Sequence, residues 1–358
     1  MSLHSHTMYS EESVESIPRH IARVPYLARI LRDTRLDLNS LYWTPPLAPR
    51  QAYRLEEKQI HRRFQLPALV SLTDHDDIRA GTLLRVLERF RDTPISTEWS
   101  VPFGQAVFHL GIHNLPASCA AAIMSRLKHF TFGTRDRDSE DELSSIFSLL
   151  NSYSDVLIVL NHPLWDEEHL GAKQHADTLS RFLTLHRRSL HALELNGLRP
   201  WRENKQVLRL GQEMRLPVIS GGDRHGLEPN SILNLSRENT FGGFVQEIRQ
   251  TRSSHMVLMP QYREPHRLRM IRMTAEILGE YRESPGRTAW ADRVFVRHGH
   301  DAAPVPLSSL WQGTQHSPKL LQHVVKGIQL TQYGGVRFAL RLALGGREWL
   351  GPNREPAL

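Results

Sequence analysis

Between residue 67 and about residue 250 the chain alternates two hydrophobic rhythms. Short apolar runs, PALVSL (67–72), QAVFHLG (105–111), DVLIVLN (155–161), LHALEL (190–195) and LPVIS (216–220), predict strands. The intervening stretches 79–90, 116–128, 141–151, 173–187 and 203–214 space their apolar residues three and four apart and predict helices. Strand and helix in regular alternation are the signature of βα units on a parallel sheet, an α/β fold. Almost every predicted strand runs into a polar or ionisable residue at its end. In a parallel barrel such ends converge on one face, where active sites are built.

The flanks follow other patterns. Residues 12–66 read as an insertion between the first two strands, with basic amphipathic helices around a break at Pro25 and an aromatic, proline-rich stretch, LYWTPPLAP. That stretch suits either a lid over a site or a packed surface crossing. Beyond residue 250 a helix is expected near 265–282, with Leu268, Ile271, Ala275 and Leu278 on one stripe and Arg269, Arg272 and Arg282 as its basic complement. RVFVR (293–297) and VVKGIQLTQYGGVRFALRLAL (324–344) read as strands, the latter around a Gly-Gly turn. The expected organisation is therefore a unit over 1–250 and an α+β C-terminal extension over 251–358. No internal repeat and no low-complexity segment interrupts it.

Composition narrows the class. A chain of 358 residues accommodates one α/β barrel of about 250 residues and an extension. No apolar run approaches the ~20 residues needed to span a bilayer. The N-terminus, MSLHSHTMYS, lacks the apolar stretch of a secretory signal. The single cysteine, Cys119, excludes an internal disulfide and fits a reducing compartment, so a cytoplasmic protein without membrane partners is expected. The net charge of +7 favours phosphates, nucleic acid or anionic surfaces as partners, although a solvated basic surface is the better reading of any one cluster. Twenty histidines spread along the chain are more informative.

They fall into a chemical pattern. In SLTDHDDI the strand-like run 68–73 ends on Asp74, His75, Asp76 and Asp77, and desolvating four unpaired ionisable groups costs several kcal/mol or more. Something must compensate them. His4 and His6, two apart, project from one face of an extended segment and can chelate one ion. Glu98 in ISTEWS, His109 in VFHLGIH, His162 in VLNHP, and Asp223 with His225 in SGGDRHG recur at or near later strand ends. Singly, each reads as a hydrogen-bonded structural residue. Together, in this order, they point to a metal cluster.

This ordered set resembles the PHP (polymerase and histidinol phosphatase) superfamily. That family carries DLHxHTxxSDG, TDHD, a glutamate, a histidine in HxLG, a histidine in AHP and a final GSDxH. The chain supplies LHSHTMYSEES, TDHD, TEW, HLG, NHP and GGDRH over roughly residues 3–245. The resemblance implies a distorted (β/α)7 barrel, two or three metal ions, and as ligands His4, His6, Glu11, His75, Glu98, His109, His162, Asp223 and His225. Glu11 stands where the family has the SDG aspartate and reaches further. His113 competes with His109, and the HLG setting favours His109. Gly222 replaces the family's serine. Only three residues precede His4, fewer than a full first strand needs, so either the true start lies upstream or that strand is clipped. Mixed imidazole and carboxylate ligation suits zinc, manganese or iron better than magnesium or calcium.

The implied activity is metal-dependent hydrolysis of a phosphoester in a small phosphorylated metabolite or nucleotide, with Asp74, His75 and Asp223 as the residues expected to carry catalysis. Asp74 is expected to orient a ligand histidine, whereas Asp76 and Asp77 begin the following helix. In ELNGLRPWRENK, Arg199 and Arg202 are placed to bind phosphate and Trp201 to stack on a base, with a solvated loop over a packed Trp201 as the alternative. Arg224 is expected to point away from the metals. Two other functions fit: a nuclease acting on nucleic-acid ends, favoured by the basic balance and the arginine-bearing C-terminal helix, and a non-catalytic binding module, for which lost ligands would be expected.

Overall fold

The computed structural model describes residues 1–13, 40–133, 139–284, 286–297, 303–313 and 319–344. The expected break at Pro25 lies outside them. An extended segment, residues 1–6, leads into β1 (Glu12–Ser13); β2 (Leu41–Trp43) and α1 (Pro49–Phe64) follow. Pro49 opens α1 at a position whose backbone N–H is free in any helix. The helix turns Ala52, Glu56 and Ile60 inward, four residues apart.

After α2 (Arg79–Arg85), strands β3 (Thr97–Phe103) and β4 (Ala106–His113) form a hairpin. Gly104, at φ +60°, takes the first position of its two-residue turn, where a positive φ matches the twist of the strands. β3 was not among the expected strands; its Pro102 sits opposite Val107 in the ladder, on an edge strand, where proline is tolerated. Then come α3 (Ala120–Phe132), α4 (Ser139–Asn151), β5 (Leu157–Leu160), α5 (Ala172–His186), β6 (Ala192–Asn196), α6 (Trp201–Met214) and β7 (Val218–Gly221).

β3 to β7 form one five-stranded sheet in sequence order. The wholly parallel sheet expected from the alternation is corrected: β3, β4 and β5 pair antiparallel, and only β5, β6 and β7 pair parallel. For β3 and β4 the two-residue turn leaves no room for the crossover that parallel neighbours need. Among the described residues no sheet closes into a barrel by continuous ladders, so the expected closed barrel is not seen. Its two edges are instead linked by isolated bridges, Ser5 to Arg224, Ser2 to Val70 and His75 to Glu98. The expected strand over 67–72 is thus an extended segment that meets residues 1–6 at single points.

One face of the sheet packs Trp99, Phe108, Leu110, Ile112, Ile158 and Leu160 against α3, α4 and α5, through Leu127, Phe147 and Phe182 among others. The buried Trp99 indole donates to the Leu127 carbonyl (3.1 Å) and to Thr131 Oγ1 (2.9 Å), so its polar edge is satisfied. On the other face, Leu157, Val159, Ala192 and Ile219 pack with Met1 and Leu3 under α7 (Phe241–Thr251). Burial on both faces explains why 155–161 is apolar without alternation. Further along that second face the residues become ionisable.

β8 (Ile232–Leu235) and β9 (His255–Leu258) flank α7 and pair antiparallel. α8 (His266–Ile277) falls where a helix was expected and buries Leu268 and Ala275, but it also buries Arg269 and Arg272. These two arginines are therefore no solvated basic face, and Arg282 lies exposed beyond the helix. β10 (Val294–Val296) pairs with β2 and with β11 (Val305–Pro306), completing a four-stranded sheet with β1. C-terminal residues thus share a sheet with Glu12 and Trp43. The strands expected over 324–344 are corrected to helices. After α9 (Leu307–Gly313), α10 (Lys319–Gln329) turns Leu321, Val324, Val325 and Ile328 inward and exposes Gln322, His323, Lys326 and Gly327, a helical period. The Gly-Gly pair opens α11 (Gly334–Leu344). No helix among the described residues is long and apolar enough to cross a membrane.

Candidate metal centre

Strand alternation builds the site. With Trp99 and Val101 turned to the helices, Glu98 faces the opposite side; Leu110 and Ile112 likewise leave His109 there, and Leu193 leaves Glu194. His162 follows the end of β5, and Asp223 and His225 follow β7. The segment carrying His4 and His6 runs between residues 69–73 and 221–224, held by Thr73 N–H to Ser5 O and Asp223 N–H to His4 O (2.9 and 2.7 Å). His4, His162 and Asp223 adopt positive φ (60°, 25° and 55°). Such backbone is strained for residues with side chains and persists where surrounding contacts impose it, typically at functional sites.

Glu98 is the hub. Its Oε2 lies 2.8 Å from His4 Nε2, 3.2 Å from His6 Nε2 and 3.5 Å from His75 Nε2. Its Oε1 lies 3.1 Å from His162 Nε2 and 3.6 Å from His109 Nδ1. Asp223 Oδ1 stands 3.4 Å from His6 Nε2, 3.5 Å from His225 Nδ1 and 3.6 Å from His4 Nε2. Of the residues named from sequence, eight of the nine expected ligands therefore converge.

The ninth, Glu11, is corrected. It is exposed and ion-paired with Arg297, while its neighbour Glu12 enters the cluster, 3.1 Å from His225 Nε2, 3.4 Å from His75 Nε2 and 3.6 Å from His6 Nδ1. The register decides this. Glu12 pairs with Trp43, whose ring borders His225 (centroids 5.8 Å apart), and consecutive residues of an extended chain point opposite ways. Trp43 thus lines the site, from a stretch the sequence left open as lid or crossing.

Several supporting residues escaped sequence reasoning. Glu194 hydrogen-bonds His4 Nδ1, so the other ring nitrogen faces Glu98 and Asp223; fixing a ligand imidazole through its second nitrogen is the usual arrangement. Asn161 donates to Glu98 Oε1 (2.9 Å), and Asn196 donates to Glu194 and Asp223 (2.8 and 3.1 Å). Glu167 stands 3.2 Å from His109 Nε2. The readable signal was polar residues inside otherwise apolar runs, VLNH and ALELN. Glycines make room: a Cβ on Gly221 would strike the Glu194 carboxylate and one on Gly222 the Asn230 amide. The latter explains why no serine stands at 222.

Asp74 orients no histidine. It accepts from Thr7 N–H (2.5 Å) and Thr7 Oγ1 (2.7 Å), pinning the loop after His6, and burial pushes its carboxyl up to about 7 against those bonds. Asp77 starts α2 as expected, accepting from Arg79 N–H (2.7 Å), whereas Asp76 accepts from Ser100 N–H (3.0 Å). Arg224 does point away: it pairs with Glu56 of α1 (3.1 Å) and donates to the His6 carbonyl (3.0 Å). His113 bonds Ser71 Oγ (2.8 Å), leaving His109 in the cluster. Arg199 stacks on Trp165 (3.8 Å to the centroid), two residues past Pro163 in the NHP turn. Trp201 packs edge-on against Tyr262 (6.4 Å) and Arg202 is exposed, which favours the packed alternative for Trp201 over base stacking.

The electrostatics are mutual. Burial would raise Glu98, Glu12 and Asp223, yet the surrounding imidazoles hold all three well below the usual carboxylate range. Burial opposes charge on His4 and His75, yet adjacent carboxylates hold both well above the usual imidazole range. Burial and neighbouring imidazoles hold His6 and His109 down. Protons compensate this cluster only in part, because buried His6 Nε2 and Glu12 Oε1 find no hydrogen-bond partner. Metal ions fit better. Two donors each about 2.1 Å from a tetrahedral ion stand roughly 3.4 Å apart, the spacing that recurs around Glu98, Asp223 and Glu12. Three overlapping groups each bring one ligand atom per residue within 4.8 Å of the others: His6, Glu12, His75 and His225; His4, His6 and Glu98; and His75, Glu98 and His109.

No protein-family description matches this sequence, and no curated protein is similar to it. Solved structures similar over part of the chain include PsfC from Pseudomonas syringae, 12% identical, covering 60% of this chain and 84% of that one at a TM-score of 0.39. Another is a protein proposed to be a metal-dependent phosphoesterase from Bifidobacterium adolescentis (14% identity, 58% and 92% coverage, TM-score 0.33). A third is an amidohydrolase from Chromobacterium violaceum with bound sulfate and no metal (13%, 72% and 97%, 0.39). At this distance, function has to be argued from the site itself.

Proposed function

We propose that this chain is a PHP-type, metal-dependent phosphoesterase holding two or three zinc, manganese or iron ions. The observation that carries the reading is one buried carboxylate, Glu98, facing five imidazoles with Glu12 and Asp223 alongside. The bridging of the sheet edges by residues 1–6 and 69–75 supports the family assignment, since it sets strand ends in a ring around that carboxylate. His6, Glu12, His75 and His225 would hold one ion, with Glu98, His4, His109, His162 and Asp223 completing the cluster. Bound divalent ions supply Lewis acidity, which activates water and offsets charge on an attacked phosphoryl group.

The chain's own groups supply the rest. Glu194 and Asn196 fix His4 and Asp223, and Asp74 and Arg224 fix the backbone around His6. His75 and His225 are the more exposed imidazoles of the cluster, so substrate enters on their side, beside Trp43. Burial raises the Glu167 carboxyl, and its contact with His109 at the rim suits it to deliver a proton to a leaving oxygen. Arg199, its guanidinium carbon 3.8 Å from the Trp165 ring centroid, would bind substrate phosphate. The test is a phosphoesterase panel of mononucleotides, bisphosphorylated nucleotides, sugar phosphates and short oligonucleotides, run on protein of known metal content. Turnover lost in His75→Ala and Asp223→Ala with fold retained supports the reading. Turnover retained in both ends it.

A further inference from the structure

A cavity of about 40 Å³ opens beside His225, several times the ~10–15 Å³ that one water needs. It is bounded by Leu198 after β6, Asn230, and Arg269, Arg272, Met273 and Glu276 of α8. Three arginines line it, and the compensation of their charges differs. Arg224 is paired with Glu56. Arg272 is paired with Glu228 and with Glu264 (2.7 Å), and lies 4.0 Å from Glu276. Arg269 stands apart. Only 6% exposed, it stacks on Tyr262 (4.4 Å to the centroid) and donates to the carbonyls of Gly197 and Arg199. Among the described residues it makes no ion pair with a carboxylate, and its buried Nε has no acceptor.

A buried cation without a counter-charge is costly unless something anionic completes it. Glu228 and Glu276 also border the cavity but are already engaged, by Arg272 and, for Glu276, by the backbone N–H groups of Leu227 (2.8 Å) and Glu228 (3.1 Å). We infer that Arg269 is a specificity-determining residue that receives an anionic oxygen group of the substrate in this cavity, adjoining the metal cluster through His225. The inference rests on the proposed hydrolase and extends it: a helix from the C-terminal region would select oxyanion-bearing substrates. The planar guanidinium, preset by Tyr262 and two carbonyls, offers its remaining N–H donors with little entropy to lose.

The test uses the full chain with its metal and inorganic phosphate as probe, measured by titration calorimetry. Arg269→Gln is expected to weaken phosphate at least about tenfold and to raise KM for phosphoester substrates more than it lowers kcat, with metal content unchanged. Arg269→Lys should restore part of the affinity. Because Arg269 also braces two carbonyls, Met273→Phe, which fills the cavity and leaves the guanidinium in place, provides a second variant and should weaken phosphate likewise. Unchanged phosphate affinity and KM in both Arg269→Gln and Met273→Phe overturn the subsite while leaving the metal-centre reading intact. Phosphate binding that depends on Arg269, in a chain that hydrolyses no phosphoester, upholds the subsite and overturns the proposed activity.

Discussion

Replacing Glu12 by glutamine removes one negative charge from a buried set of four groups while keeping the side chain's size. Its carboxylate stands 3.1 to 3.6 Å from His225, His75 and His6, and these imidazoles hold it well below the usual range although burial would raise it. Breaking one partner out of a buried ionic set costs roughly 3–5 kcal/mol. At 1.4 kcal/mol per factor of ten, that corresponds to a roughly hundredfold or greater loss of metal affinity at this position. Glu11→Gln, one residue away, removes only an exposed pair with Arg297, worth about 0–1 kcal/mol. The assay is chelator competition on the full chain, followed by elemental analysis. Glu12→Gln should release at least one ion per chain at chelator concentrations that leave wild type and Glu11→Gln loaded. The reverse pattern, with Glu11→Gln stripped and Glu12→Gln loaded, would refute the geometric assignment and restore the one drawn from motif alignment.

Three further outcomes follow from the packing. Arg224→Gln leaves Glu56 buried without its cation and should lower unfolding free energy by about 3–5 kcal/mol in a denaturant titration; no change would mean the pair contributes nothing to the frame around His6. Gly221→Ala drives a methyl into the Glu194 carboxylate and should cost about 1–3 kcal/mol in the same titration while weakening metal retention; wild-type values in both would contradict the close approach. Burial holds His113 down at about 3, with His4 contributing, so the unfolded chain takes up a proton below pH ~6.5 that the folded chain refuses. That contribution to stability is complete above pH ~6.5 and is lost as pH falls toward 3. The stability difference between wild type and His113→Gln should therefore shrink with acidification, and a difference constant with pH would rule the mechanism out.

What the sequence made legible depended on range. Helices with a clear period, such as α5 and α6, and the apolar strands β4 to β7 lie where the local pattern put them, because burial on a helix stripe or a sheet face is written residue by residue. Strand direction was not written there: the β3–β4 hairpin follows from a two-residue turn after a strand that the local pattern did not reveal. The ordered motifs brought His4, His6, His75, Glu98, His109, His162, Asp223 and His225 to one place, whereas the choice between Glu11 and Glu12 turned on the pairing of Glu12 with Trp43 across the intervening chain. Arg269 and Arg272 looked like a solvated face because periodicity cannot see that Tyr262, Glu228 and Glu264 wait to cover them.

Anomalous diffraction from crystals of the full chain, recorded across the zinc, iron and manganese absorption edges, probes the central assignment most directly. At least two peaks are expected within the cage of Glu98, Glu12, Asp223 and the six imidazoles, with Glu11 outside it. Well-diffracting crystals of metal-replete protein with no peak among those side chains would contradict it.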